Sequence, residues 1–74
     1  MLTTHKHNRA SKMLYAIKNK QTKEFFAGFD SNDNAMWTAD VSKAWKEEWV
    51  VKAELQASLL FSTNKMVQKR PVRI

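Results

Sequence analysis

Two short runs of alternating apolar residues, 13–18 and 24–29, flank Asn19-Lys20-Gln21-Thr22, and no other feature limits the fold so strongly. In the first run Met13, Tyr15 and Ile17 alternate with Leu14, Ala16 and Lys18. In the second, Phe25, Ala27 and Phe29 alternate with Glu24, Phe26 and Gly28. Successive strand side chains point to opposite faces, so each run reads as a strand. The turn formers between them make the pair an antiparallel hairpin. Gly28, the only glycine, sits inside the second strand, where it marks a bulge or a close contact.

The rest of the chain follows from local chemistry. Asp30-Ser31-Asn32-Asp33-Asn34 is a loop, because Asx side chains bond their own backbone in turns. Residues 35–38 form a short third strand that carries Trp37 inward, and Thr38 or Asp40 caps a helix. Val41, Ala44 and Trp45 share one helical face, but continuing that stripe meets Glu48, Lys52 and Gln56. A second stripe of Val50, Ala53, Ala57, Leu60 and Phe61 starts on another face. The phase change predicts either two helices, roughly 40–46 and 48–62, or one helix bent near Glu47. Asn64 is expected as a left-handed cap. Residues 66–74 form the last strand, with Met66, Val72 and Ile74 on one side, and Pro71 confines it to an edge or a bulge.

The expected fold is therefore α+β. A small antiparallel sheet of hairpin, short third strand and C-terminal strand packs against one bent helix or two short ones. A connection of about 35 residues can return the last strand beside the first. Residues 1–12 lack periodicity and read as a flexible basic tail, leaving 13–74 as the single domain, with Met13 an alternative start. Seventy-four residues give one thin core, and a chain this short buries only about 60% of its unfolded surface. With no cysteine to help, the eight aromatics must supply much of that core. No apolar run approaches the roughly 20 residues of a membrane span, and residues 1–12 have no apolar segment of a secretory signal. A cytoplasmic address, with no membrane partner, is expected.

Few residues suit catalysis. Both histidines lie in the tail, one glycine cannot build a phosphate loop, and a Glu47–Glu48 pair on a helix ordinarily faces solvent. His5 and His7 offer two of the four ligands that structural zinc needs. The 30–34 loop opens like a calcium site, but Ala35 stands where the turn needs glycine and Val41 where a bidentate Glu is needed. The expectation is a non-enzyme with no metal and no cofactor.

Charge is uneven along the chain. Residues 1–23 hold six Lys/Arg and no acid, residues 24–54 hold seven acids against three Lys, and residues 55–74 hold four Lys/Arg and no acid. If the last strand lies beside the first, Lys18, Lys20 and Lys23 join Lys65, Lys69, Arg70 and Arg73 in one basic patch. Such a patch suits sequence-independent phosphate contacts, with Tyr15 or Phe26 available to stack on bases. Lysines on edge strands also serve simply to block aggregation. The second unusual feature is three tryptophans within 13 residues. Trp37 and Trp45 are expected mainly in the core. Trp49, beside Glu47 and Glu48, is expected exposed, which makes Trp45, Trp49, Glu47 and Glu48 a candidate protein interface or homodimer seam.

The pattern formed by Tyr15, Ile17-Lys18-Asn19, Thr22, Phe25-Phe26, Gly28-Phe29, Trp37-Thr38, Asp40, Ala44, Ala53, Ala57 and Val67 to Val72 resembles small bacteriophage and prophage accessory proteins. The resemblance spans residues 13–74. Similar chains more often carry one aromatic and a Ser-type cap where this one has Trp45 and Trp49. It implies an accessory protein in the host cytoplasm that binds a host or phage macromolecule, a minority of such proteins blocking host machinery or defence. The alternative is direct nucleic-acid binding through the basic patch. The net charge of +6 argues against simple mimicry of DNA.

Overall fold

In a computed structural model, which describes residues 13–74, the segment 14–19 lies at the centre of the sheet. Strand β1 (Tyr15–Ala16) pairs antiparallel with β4 (Val72–Arg73), Tyr15 opposite Arg73 and Ala16 opposite Val72. Further along, Asn19 bridges Val67, and Lys18 bridges Phe25 at the start of β2 (Phe25–Phe29). Strand β2 pairs antiparallel with β3 (Ala35–Thr38). Two ladders are thus joined through one bridge, in the spatial order β4-β1-β2-β3. A last strand that returns to lie beside the first is Greek-key ordering. The molecule is α+β, as its alternating runs lead one to expect.

Both turns are built by Asx side chains. The Asn19 Oδ1 accepts the N–H groups of Gln21 and Thr22 at 2.8 and 2.9 Å, and Lys23 completes the hairpin turn in the left-handed region, at φ +69°. In the next loop the Asp30 Oδ1 accepts the N–H groups of Asn32 and Asn34, with Asp33 left-handed at φ +62°. The β2–β3 register shifts between Phe26 and Phe29, and Gly28 takes φ +102° inside that bulge.

One helix, α1 (Val50–Thr63), packs on the sheet. It presents Ala53 and Ala57, both fully buried, so its backbone comes close to the strands. Ile17, Phe26, Ala57, Leu60 and Val67 form the core, with Ala35, Trp37, Trp45 and Phe61 around it. Phe26 is the aromatic hub, its ring centroid 5.1, 5.9 and 5.7 Å from those of Phe29, Trp37 and Trp45.

Four local expectations need correction. Residues 40–46 are not an α-helix. Asp40 caps a single 3-10 turn, Val41–Lys43, after which Ala44 is extended and the Trp45 N–H donates to the Phe26 carbonyl at 2.8 Å. A break between the stripes is present, but its first half is a strand-like segment bound to the sheet. Second, Asn64 is extended (φ −144°, ψ 103°), and its side chain accepts the Met66 N–H. Third, the inward residues of the last segment are Val67 and Pro71, while Met66 and Ile74 are exposed. The stretch from 66 to 74 is not one continuous strand: pairing stops after Val67 and resumes at Val72. Fourth, Phe26 is buried and Phe29 exposed, opposite to the simple alternation, because α1 covers the Phe26 face. Phe26 therefore cannot stack on a base. The tail expected over residues 1–12, with His5 and His7, lies outside the described residues.

Candidate functional site

Backbone pairing brings the segment of Lys18 and Lys20 beside that of Lys65 and Lys69, but the lysine side chains contact separate rings on opposite sides of the sheet. The Gln68 N–H donates to the Lys18 carbonyl at 2.9 Å, and the Lys20 N–H donates to the Met66 carbonyl at 2.7 Å. Lys18 and Lys20 are therefore fixed against the segment carrying Lys65 and Lys69. Those two lysines converge on Phe61, their Nζ atoms 4.5 and 5.0 Å from the centre of its ring. Lys18 lies over Phe25 in the same way, at 5.6 Å. Among the described residues none of these lysines forms an ion pair. An exposed cation–π contact is worth about 0.5–1 kcal/mol, so an arriving anion can displace it.

The remaining basic candidates are placed less centrally. Arg70 is exposed next to Lys69, Lys23 is exposed in the hairpin turn, and Arg73 sits opposite Tyr15 on β4. Phe61 is the residue that sequence reasoning placed in the core and overlooked as the ring that Lys65 and Lys69 share. Its i, i+4 spacing to Lys65 was the available signal.

The tryptophan group divides. Trp45 is half-buried and packs against Phe26 at the edge of the core. Glu47 is structural: its backbone exchanges two hydrogen bonds with Tyr15, and its carboxylate accepts the Trp49 N–H at 3.0 Å at the start of α1. Glu48 is exposed beside it. Trp49 is 62% exposed, as its setting leads one to expect.

Beyond Trp49, α1 has a second apolar face. Val51, Leu55 and Leu59 follow one another at intervals of four residues and are 72%, 63% and 58% exposed. In a helix this spacing forms one row, and the row lies opposite Ala53, Ala57 and Leu60. At its Leu59 end it opens into a cleft of about 480 Å³ lined by Phe29, Ala35, Leu60 and Gln56, with Asp33 and Asn34 at the rim. A helix apolar on both sides is ordinarily covered on both sides.

Two carboxyls are held below their ordinary range. Asp30 is lowered by hydrogen bonds from the N–H groups of Asn34 and Asn32, and Asp40 by the Ser42 hydroxyl and N–H. Both serve turns, which matches the reading of 30–34 as a loop. Among the described residues no three His, Asp or Glu side chains converge as metal ligands, and no helix is long and apolar enough to cross a membrane.

Compared with known proteins, the chain matches no family model, no curated protein and no solved structure.

Proposed function

We propose that this chain is a small non-enzymatic binding protein that attaches to a protein partner through the outward face of α1. In keeping with the sequence pattern it resembles, it is a phage-type accessory protein whose target is a host or phage protein. One observation carries the reading: the row of Val51, Leu55 and Leu59 faces solvent on a helix whose opposite side already fills the core, and Trp49 is exposed just before that helix. Burying one such side chain contributes about 1.5–3 kcal/mol. Association costs at least about 4 kcal/mol, so a single anchor would not suffice. The row and its cleft supply four or five. Asp33 at the cleft rim favours a partner segment with apolar anchors and a basic residue.

The test is a capture experiment from host lysate, with and without nuclease, comparing the protein with Leu55→Gln/Leu59→Gln. Both positions are exposed and Gln is a good helix former, so the variant keeps its fold. A protein retained through nuclease treatment by the parent and lost by the variant supports the reading. Identical capture by both, or capture of nothing by a monomeric parent, sinks it. A parent that sediments as a dimer while the variant is a monomer would assign the face to a second copy instead.

A further inference from the structure

We infer that the cleft at the Leu59 end of α1 is the pocket that receives an arginine side chain of the protein partner, an inference that rests on the protein-binding reading of that helix face. The cleft holds about 480 Å³, and its lining combines two chemistries. Phe29, Leu59 and Leu60 supply apolar surface, with Phe29 48% exposed and held edge-on against Phe26. Asp33, Gln56 and Thr63 supply polar groups, and Asp33 is the one charged residue among those that line the cleft. The adjoining 30–34 loop adds Asp30 and no cation, so this end is locally negative on a chain whose net charge is +6. The Thr63 hydroxyl commits its proton to the Leu60 carbonyl at 3.1 Å, so it can only accept from a visitor. A carboxylate and an acceptor beside aromatic and aliphatic surface match a guanidinium on an apolar stem. Arginine presents a planar fork of donors, keeps its charge and lies flat on aromatic rings, whereas the lysine ammonium is compact and more strongly hydrated. An uncharged apolar side chain would cover Phe29 and Leu60 but gain nothing from the carboxylate. Asp33 is thus the specificity-determining residue, while the Val51, Leu55 and Leu59 row contributes the apolar area.

The probes are capped tripeptides, acetyl-Leu-Arg-Leu-amide and its lysine and norleucine counterparts, titrated into the full chain and followed by amide chemical shifts. The arginine peptide should move the signals of Asn34, Ala35, Gln56 and Leu60. It should bind about fivefold more tightly than the norleucine peptide at low salt, an advantage that shrinks as salt screens the pair. The lysine peptide should fall between them. Asp33→Asn should erase the preference and leave the apolar contacts. Asparagine tolerates the left-handed backbone that Asp33 adopts at φ +62°, so the variant folds, which circular dichroism checks. The inference is overturned if no peptide moves those signals at millimolar concentration, if arginine has no advantage over norleucine, or if Asp33→Asn keeps the preference. A lysine peptide that binds as tightly as the arginine one overturns the choice of arginine. The inference also falls if the same signals shift on diluting the protein alone, since a second copy would then fill the cleft. Capture from lysate separates failure here from failure of the reading beneath it. A partner lost with Leu55→Gln/Leu59→Gln but held equally by Asp33→Asn upholds binding through the helix face and removes the arginine pocket, whereas a partner weakened by both variants supports both.

Discussion

Tyr15 and Glu47 exchange both backbone hydrogen bonds, at 2.8 and 3.0 Å, so the segment leading into the helix is fastened to the middle of the sheet. The same Glu47 turns its carboxylate to the Trp49 N–H, one residue before α1 begins. The backbone of one residue thus sets where the helix starts, and its side chain satisfies a donor that the first turn leaves open.

Glu47→Ala should therefore lower stability by about 0.5–1 kcal/mol, the net worth of one exposed hydrogen bond. Glu47→Gln keeps an acceptor and should recover most of it. Urea unfolding followed by tryptophan fluorescence reads both. Equal stability of all three proteins would show that the carboxylate contact does not matter.

Two left-handed positions predict changes of opposite sign. Gly28 is at φ +102° with nothing near the place a Cβ would occupy, so Gly28→Ala suffers from backbone strain alone, about 1–2 kcal/mol. Lys23, at φ +69°, already bears such strain, and Lys23→Gly should stabilise by roughly 0.5–1 kcal/mol. Thermal melts of the two variants should move in opposite directions.

Asn19 is buried, and its Oδ1 holds two N–H groups of the hairpin turn. Replacement by Ala should cost about 1–2 kcal/mol. Asn19→Asp retains the acceptor and should unfold later in urea than Asn19→Ala at neutral pH. The reverse order would mean that the amide's donor side matters more.

Acid should loosen the 30–34 loop and the 3-10 turn that Asp40 caps. Asp30 and Asp40 have folded-state pKa values below the ordinary carboxylate value, so they bind protons less readily folded than unfolded. Their contribution is complete above about pH 4 and is lost as pH falls through the lowered values. Asp30→Asn keeps an oxygen for the loop N–H groups and removes the titrating group. The variant's stability should consequently decline less steeply than the parent's between about pH 4 and pH 2.

The legible parts of this fold are those that depend on neighbours in sequence. The hairpin, the Asx loop, the bulge at Gly28 and the helix over Val50–Thr63 all announce themselves through local chemistry. Which face of each strand is buried was not legible, because two aromatics in succession, Phe25 and Phe26, offer either face, and only the position of α1 chooses Phe26. Residues 44–47 were misread for a related reason. Their apolar spacing suits a helix, but the carbonyls of Phe26 and Tyr15 take their N–H groups first. Of the candidate sites, only the backbone pairing of residues 18–20 with residues 66–68 could be anticipated from strand order. At Phe61 the i, i+4 spacing signals Lys65, whereas Lys69 reaches the ring only after the chain has turned back and has no local signal.

Ala16 and Val72 pair across almost the whole described span, while β2 and β3 are joined by a five-residue loop. The order of assembly follows from this difference. The β2–β3 ladder can form as soon as its residues leave the ribosome, whereas the central strand waits for a partner made much later and must close a long loop to meet it. Until then Ala16 and Ile17 have an open edge, so the newly made chain is most vulnerable to proteases and to mispairing in the interval before its last strand arrives.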